Sequence, residues 1–119
     1  MLTVHIENIG DMAIIECEGR IVRSEAAFKL RKAVTSQDDV RTIVLDLTEV
    51  YAIEGGGLGM LGVLQKWAID QGIQLKLYNL TSSVRNRLEH NDWMRFDIAS
   101  FEEVMALLAR ADTQYSKAA

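Results

Sequence analysis

At 119 residues the chain is long enough for one domain with its own core and too short for two. Its 49% hydrophobic and 25% charged residues are ordinary for a globular protein, and a net charge of −4 argues against a general nucleic-acid binder. A single cysteine, Cys17, excludes an intramolecular disulfide and a thiolate metal cluster.

Leu2 to Glu7 alternates apolar and polar residues, the period of a half-buried strand and not the pattern of a charged-then-apolar leader. Asn8-Ile9-Gly10-Asp11 supplies turn chemistry, so Met12 to Cys17 is expected to pair back as a hairpin partner ended by Gly19. Cys17 sits in an apolar stretch, where a buried, inert thiol is expected. From Ser24, a plausible N-cap, Ala27, Leu30 and Val34 recur at helical spacing. Arg20, Arg23, Lys29, Arg31 and Lys32 cluster here, and a solvated helix face accounts for them better than a phosphate-binding stripe.

Thr42 to Leu47 is β-branched and apolar on both faces, as in a central strand covered on both sides. A loop through Glu49 and Tyr51 then leads to Glu54-Gly55-Gly56-Gly57 and a helix to about Gln71, with Leu61, Leu64 and Ala68 facing the core. Gly72 suits the position just past that helix. Ile73 to Tyr78 alternates as another strand, and Thr81 or Ser82 can cap a helix carrying Val84 and Leu88. Phe96-Asp97-Ile98 reads as a short strand, and Ser100 to Glu103 as a capping box opening a last helix. The reading is one domain over residues 1–111 with a frayed polar tail over 112–119, in the order β-β-α-β-α-β-α-β-α. No apolar run reaches the length of a membrane span, and a cytoplasmic location is expected.

Gly57-Leu58-Gly59-Met60-Leu61-Gly62 spells G-x-G-x-x-G, but Gly57 lies ten positions past Leu47, whereas a dinucleotide turn follows its strand directly. About twenty residues on, Asn79 and Leu80 stand where a ribose-binding acid belongs. Glycines inside a helix are unfavourable by about 1 kcal/mol each relative to alanine, so they need another reason. Close packing against the sheet explains Gly59 and Gly62 at least as well as docking does. For Gly55, Gly56 and Gly57 an exposed docking surface is the better reading, because orphan N–H groups lie there. His5 and His90 are too far apart for a local metal motif, and Trp67 and Trp93 are packing residues. Asp46 is expected to accept hydrogen bonds from the loop that follows it. No cofactor is expected.

The run from Thr42 to Gly59 resembles the signature of the STAS domain, a family named for sulfate transporters and anti-sigma factor antagonists. Asp46, Leu47, Val50, Ile53, Gly57, Leu58 and Gly59 stand at matching positions, with support from Gly19 and from Val84-Arg85. The resemblance implies an α/β fold, a STAS-like mixed sheet with helices packed on it. It also implies a non-enzymatic module that docks an anti-sigma factor with a serine kinase-like fold. Docking would use Val50, Tyr51, Ile53, Glu54, Gly55, Gly56, Gly57 and Leu58. In the family's Asp-Ser-Ser-Gly pattern the second serine is phosphorylated; here Glu54-Gly55-Gly56 replaces Asp-Ser-Ser, and Gly56 has no hydroxyl to modify. A STAS subunit of another assembly, such as a lipid-transport or stressosome-like complex, and a weak nucleotide binder remain as alternatives. Neither nucleic acid nor membrane insertion is implied, and homodimer formation stays open.

Overall fold

The computed structural model describes residues 2–21, 25–37, 39–54, 56–90 and 94–118, with the backbone alone described at residue 25 and over 112–118. Five strands and four helices follow in the order β1 (Leu2–Ile9), β2 (Met12–Ile21), α1 (Glu25–Thr35), β3 (Thr42–Ile53), α2 (Gly56–Gln71), β4 (Gln74–Tyr78), α3 (Ser82–Glu89), β5 (Ile98–Ala99) and α4 (Phe101–Ala118). The strands form one mixed sheet in the order β1-β2-β3-β4-β5, so β3 is central. As expected, β1 and β2 pair antiparallel across a two-residue turn; the remaining pairs are parallel and are joined by helices.

Alternation along β3 divides the core. Ile43, Leu45 and Leu47 join the larger cluster with Leu30 and Val34 of α1, Leu61, Leu64 and Ala68 of α2, and Val84 and Leu88 of α3. Val44 points the other way, into a smaller cluster with Met12, Ala99, and Val104 and Ala111 of α4. The sheet is therefore covered on both faces, three helices against one.

Local chemistry sets the element ends. Gly10 opens the β1–β2 turn at φ +56°, a conformation that favours glycine, and a Cβ there would lie 2.5 Å from the Ala111 carbonyl oxygen. Gly72, at φ +72°, closes α2: its N–H donates to Ile69 and the next N–H, of Ile73, donates to Ala68. That is a Schellman ending. The Thr81 hydroxyl accepts from the Val84 N–H to cap α3, and Ser100 and Glu103 bond reciprocally to open α4. The Ser24 cap and Trp93 lie outside the described residues.

Three boundaries differ from the sequence reading. Gly19 does not end β2; it adopts φ +119° within a stretch of shifted register, and β2 runs on to Ile21. Beyond that irregularity Arg20 and Ile21 pair with Ala52 and Ile53, so β3 extends to Ile53 where a loop was expected from Glu49. The short strand falls at Ile98–Ala99, although the Asp97 carbonyl already accepts from Leu77 N–H. Asp97 also receives Lys76 Nζ at 2.8 Å, with Glu103 at 3.6 Å. Burial alone would push the Lys76 ammonium down, but the Asp97 hydrogen bond and the two carboxylate charges hold it above its ordinary value. No helix among the described residues is long and apolar enough to cross a membrane.

Candidate functional site

The distal half of β3, from Thr48 to Ile53, outruns β4, which pairs only with Thr42 to Asp46. Its second edge would be left open, and α3 closes it with side chains: Thr81 Oγ1 donates to the Val50 carbonyl at 3.1 Å, and Arg87 Nε to the Ile53 carbonyl at 3.3 Å. On the first edge the pairing with β2 holds to the end of both strands, where Glu54 N–H donates to the Ile21 carbonyl at 3.1 Å. The chain then tightens, with Gly57 N–H donating to the Glu54 carbonyl at 2.7 Å, and α2 begins. The segment is thus held by backbone hydrogen bonds on the β2 side and by side-chain donors from α3 on the other.

The expected docking residues divide by face. Tyr51 is 62% exposed, and Glu54 and Gly56 are also exposed. Leu58 is half-buried. Val50 and Ile53 are buried in the larger core, so their side chains hold the strand down and do not face outward. Gly57 is buried as well, which corrects the expectation that Glu54 to Gly57 is exposed throughout. A Cβ on Gly57 would stand 2.0 Å from the Ile21 carbonyl oxygen, so close approach to β2 requires glycine there. Gly59 reverses in the other direction: a Cβ on it would meet nothing within 4 Å, so packing does not require glycine at that position. Gly62 is buried, and Gly55 lies outside the described residues.

Side chains from outside the signature complete the surface. Arg20 Nη2 lies 3.6 Å from Glu54 Oε2, both side chains largely exposed, an arrangement that contributes little stability but orients the carboxylate. Ala52, Ile53, Glu54, Ser83 and Arg87 line a depression of about 370 Å³ between the strand end and α3. Ser83 and Arg87 carry no local sequence signal, since only the fold brings them to Ile53. Of the basic cluster, Arg20 belongs to this surface; Lys29, Arg31 and Lys32 are solvated on α1, and Arg23 lies outside the described residues.

Asp46 accepts from the Thr48 N–H at 3.0 Å and from the Thr48 hydroxyl, to which Asn79 Nδ2 donates at 2.9 Å. Its carboxylate therefore fixes the strand where β4 ends. Cys17 is 2% exposed, and burial, with a smaller contribution from Asp46, pushes its thiol up to about 12, which removes it as a nucleophile near neutrality. His5 and His90 are both exposed, and the described residues contain no group of His, Cys, Asp or Glu side chains that could hold a metal ion. The G-x-G-x-x-G run presents no phosphate cradle, because its first glycine packs on Ile21 and its N–H is already bonded to Glu54.

A family model, described as the STAS domain, matches residues 3–110. Among solved structures, an anti-sigma factor antagonist from Mycobacterium paratuberculosis superposes with a TM-score of 0.73 at 15% identity, over 92% of this chain and 95% of that one. The anti-sigma factor antagonist SpoIIAA in its unphosphorylated form gives 0.67 at 15% identity, over 91% and 98%. The murine anion transporter Slc26a9 gives 0.70 at 18% identity, over 87% of this chain but 18% of the transporter. At these identities the likeness establishes the fold. No curated protein matches the chain.

Proposed function

The chain belongs to the STAS domain family, and from that premise we propose that it is a cytoplasmic protein-docking module of the anti-sigma factor antagonist type. It is a single domain over residues 1–111, works without catalysing a reaction, and has a kinase-type anti-sigma factor or a related protein as its partner. The observation that carries this reading is the end of β3 and the entry to α2: Tyr51, Glu54 and Gly56 are exposed, and β2 and α3 brace the backbone at Val50, Ile53 and Glu54. A braced backbone loses little entropy on docking, and an exposed glycine lets a partner approach closely. The same glycine removes the hydroxyl through which docking would be switched off.

The test is co-purification of the full chain with the kinase-type anti-sigma factor encoded in its source cell. The parent chain is expected to retain that protein, and Gly56→Asp, which sets an unpaired charge in the contact, is expected to lose it. Such a charge commonly costs about 2–5 kcal/mol, a difference plain in any pull-down. Equal retention by parent and Gly56→Asp would show that this surface is not the interface.

A further inference from the structure

Among the described residues the Arg87 guanidinium is anchored by one nitrogen only. Its Nε donates to the Ile53 carbonyl, which ties the head to the end of β3, and the side chain lines the 370 Å³ depression. No carboxylate among the described residues forms an ion pair with it, whereas Arg20, Arg41 and Arg85 pair with Glu54, Asp11 and Glu89. The one carboxylate among the described residues that line the depression, Glu54, is engaged by Arg20. One helical turn before Arg87, the exposed Ser83 lines the same depression, and its hydroxyl makes no hydrogen bond among the described residues. Residues at this spacing share a helix face.

We infer that this depression is a carboxylate-binding subsite, which takes a Glu or Asp side chain of a protein partner. Both Nη groups of Arg87 would donate to the two carboxylate oxygens, and the Ser83 hydroxyl to one of them. The guanidinium fork matches a planar carboxylate, and its Nε bond to Ile53 fixes the fork before the ligand arrives. Glu54 at the rim selects among anions: its charge opposes a phosphate dianion about twice as strongly as a monoanionic carboxylate. The inference rests on the docking reading for the source of the carboxylate, and on Arg87 and Ser83 for its chemistry.

The test uses the full, isotope-labelled chain and follows the Arg87 Nε–Hε resonance by NMR. The probe is the peptide acetyl-Gly-Glu-Gly-Glu-Gly-amide, titrated beside its lysine counterpart and beside inorganic phosphate. The glutamate peptide should shift the resonance saturably with a Kd on the order of millimolar, the lysine peptide should not, and phosphate should bind more weakly. Followed through the backbone resonances of Ser83 and Glu54, Arg87→Lys should weaken the glutamate peptide about tenfold, since it keeps the charge and loses the fork. Ser83→Ala, a surface change that leaves the Arg87–Ile53 bond in place, should weaken it about threefold. Equal affinity in parent and both variants, or phosphate binding as tightly as the peptide, would overturn the subsite. No partner is present in this titration, so its failure leaves the docking reading standing. Failure to co-purify a partner would likewise leave the subsite intact.

Discussion

The Cα of Gly57 approaches the backbone of Ile21 so closely that a Cβ would lie 2.0 Å from the Ile21 carbonyl oxygen and 2.6 Å from its carbon. The obstacle is backbone in a paired strand, which cannot rotate aside. Gly57→Ala must therefore shift the start of α2 away from β2, and a loss of about 1–3 kcal/mol or more is expected. Gly59, two residues on, is the internal control, because open space surrounds its missing Cβ. Gly59→Ala should stabilise the chain by about 1 kcal/mol through helix propensity alone. Urea unfolding of the two variants measures both effects. Similar midpoints would refute the assignment of Gly57 as the strut of the site.

These two glycines also show where a sequence stops being legible. Period and caps revealed the element order, the central place of Thr42 to Leu47, the Gly72 ending and the Ser100–Glu103 box, because each depends on residues within a turn of one another. The packing reasons for Gly57 and Gly59 depend on what stands across from them, and sequence spacing is silent about that. The same holds for the strand limits: Val50 and Ile53 looked like loop residues because Glu49 and Tyr51 break the apolar run. Yet β2 bends through Gly19 to pair with them. Ser83 and Arg87 reach the site only through the fold, 30 or more residues from the strand they complete. Arg87, for example, bonds Ile53 at a separation of 34.

Cys17 links the sheet to pH. Its ordinary value is 9.0, and burial, with Asp46 adding to it, raises the folded value to about 12. The fold thus favours the protonated thiol. This contribution is complete below pH 9 and is lost as pH rises towards 12, at up to about 1.4 kcal/mol per unit. Cys17→Ala should lower stability at pH 7 through the lost sulfur, but remove that part of the alkaline slope. Denaturant titrations from pH 7 to 11 in parent and variant compare the slopes directly, and parallel slopes would contradict the assignment. In the native chain the thiol should also resist alkylation until the protein is unfolded.

A helix that opens on Gly56 and Gly57 invites the idea of a nucleotide site. The geometry opposes it: Gly57 N–H is already bonded, Gly57 itself is buried, and Glu54 brings a carboxylate to the helix entrance. Binding of ATP or GTP should be no tighter than about millimolar. Calorimetric titration checks this, and a saturable micromolar isotherm for either nucleotide would overturn it.

The last expectation concerns the missing switch. Between residues 48 and 62 only Thr48 and Tyr51 carry hydroxyls. The Thr48 hydroxyl is held between Asp46 and Asn79, and phosphorylating it would place a dianion against the Asp46 carboxylate. Tyr51 is exposed, but its phenol is borne on a paired strand, five positions before Gly56. Incubation with a kinase-type partner and ATP should therefore leave residues 48–62 unmodified by mass spectrometry. Gly56→Ser restores an acceptor hydroxyl at an exposed position in the first turn of α2. That variant should gain a phosphate under the same conditions and release the partner as it does so. Modification of the parent at Thr48 or Tyr51 would show that the switch persists on another residue. A Gly56→Ser chain that docks but stays unmodified would show that the partner is not a kinase acting on this position.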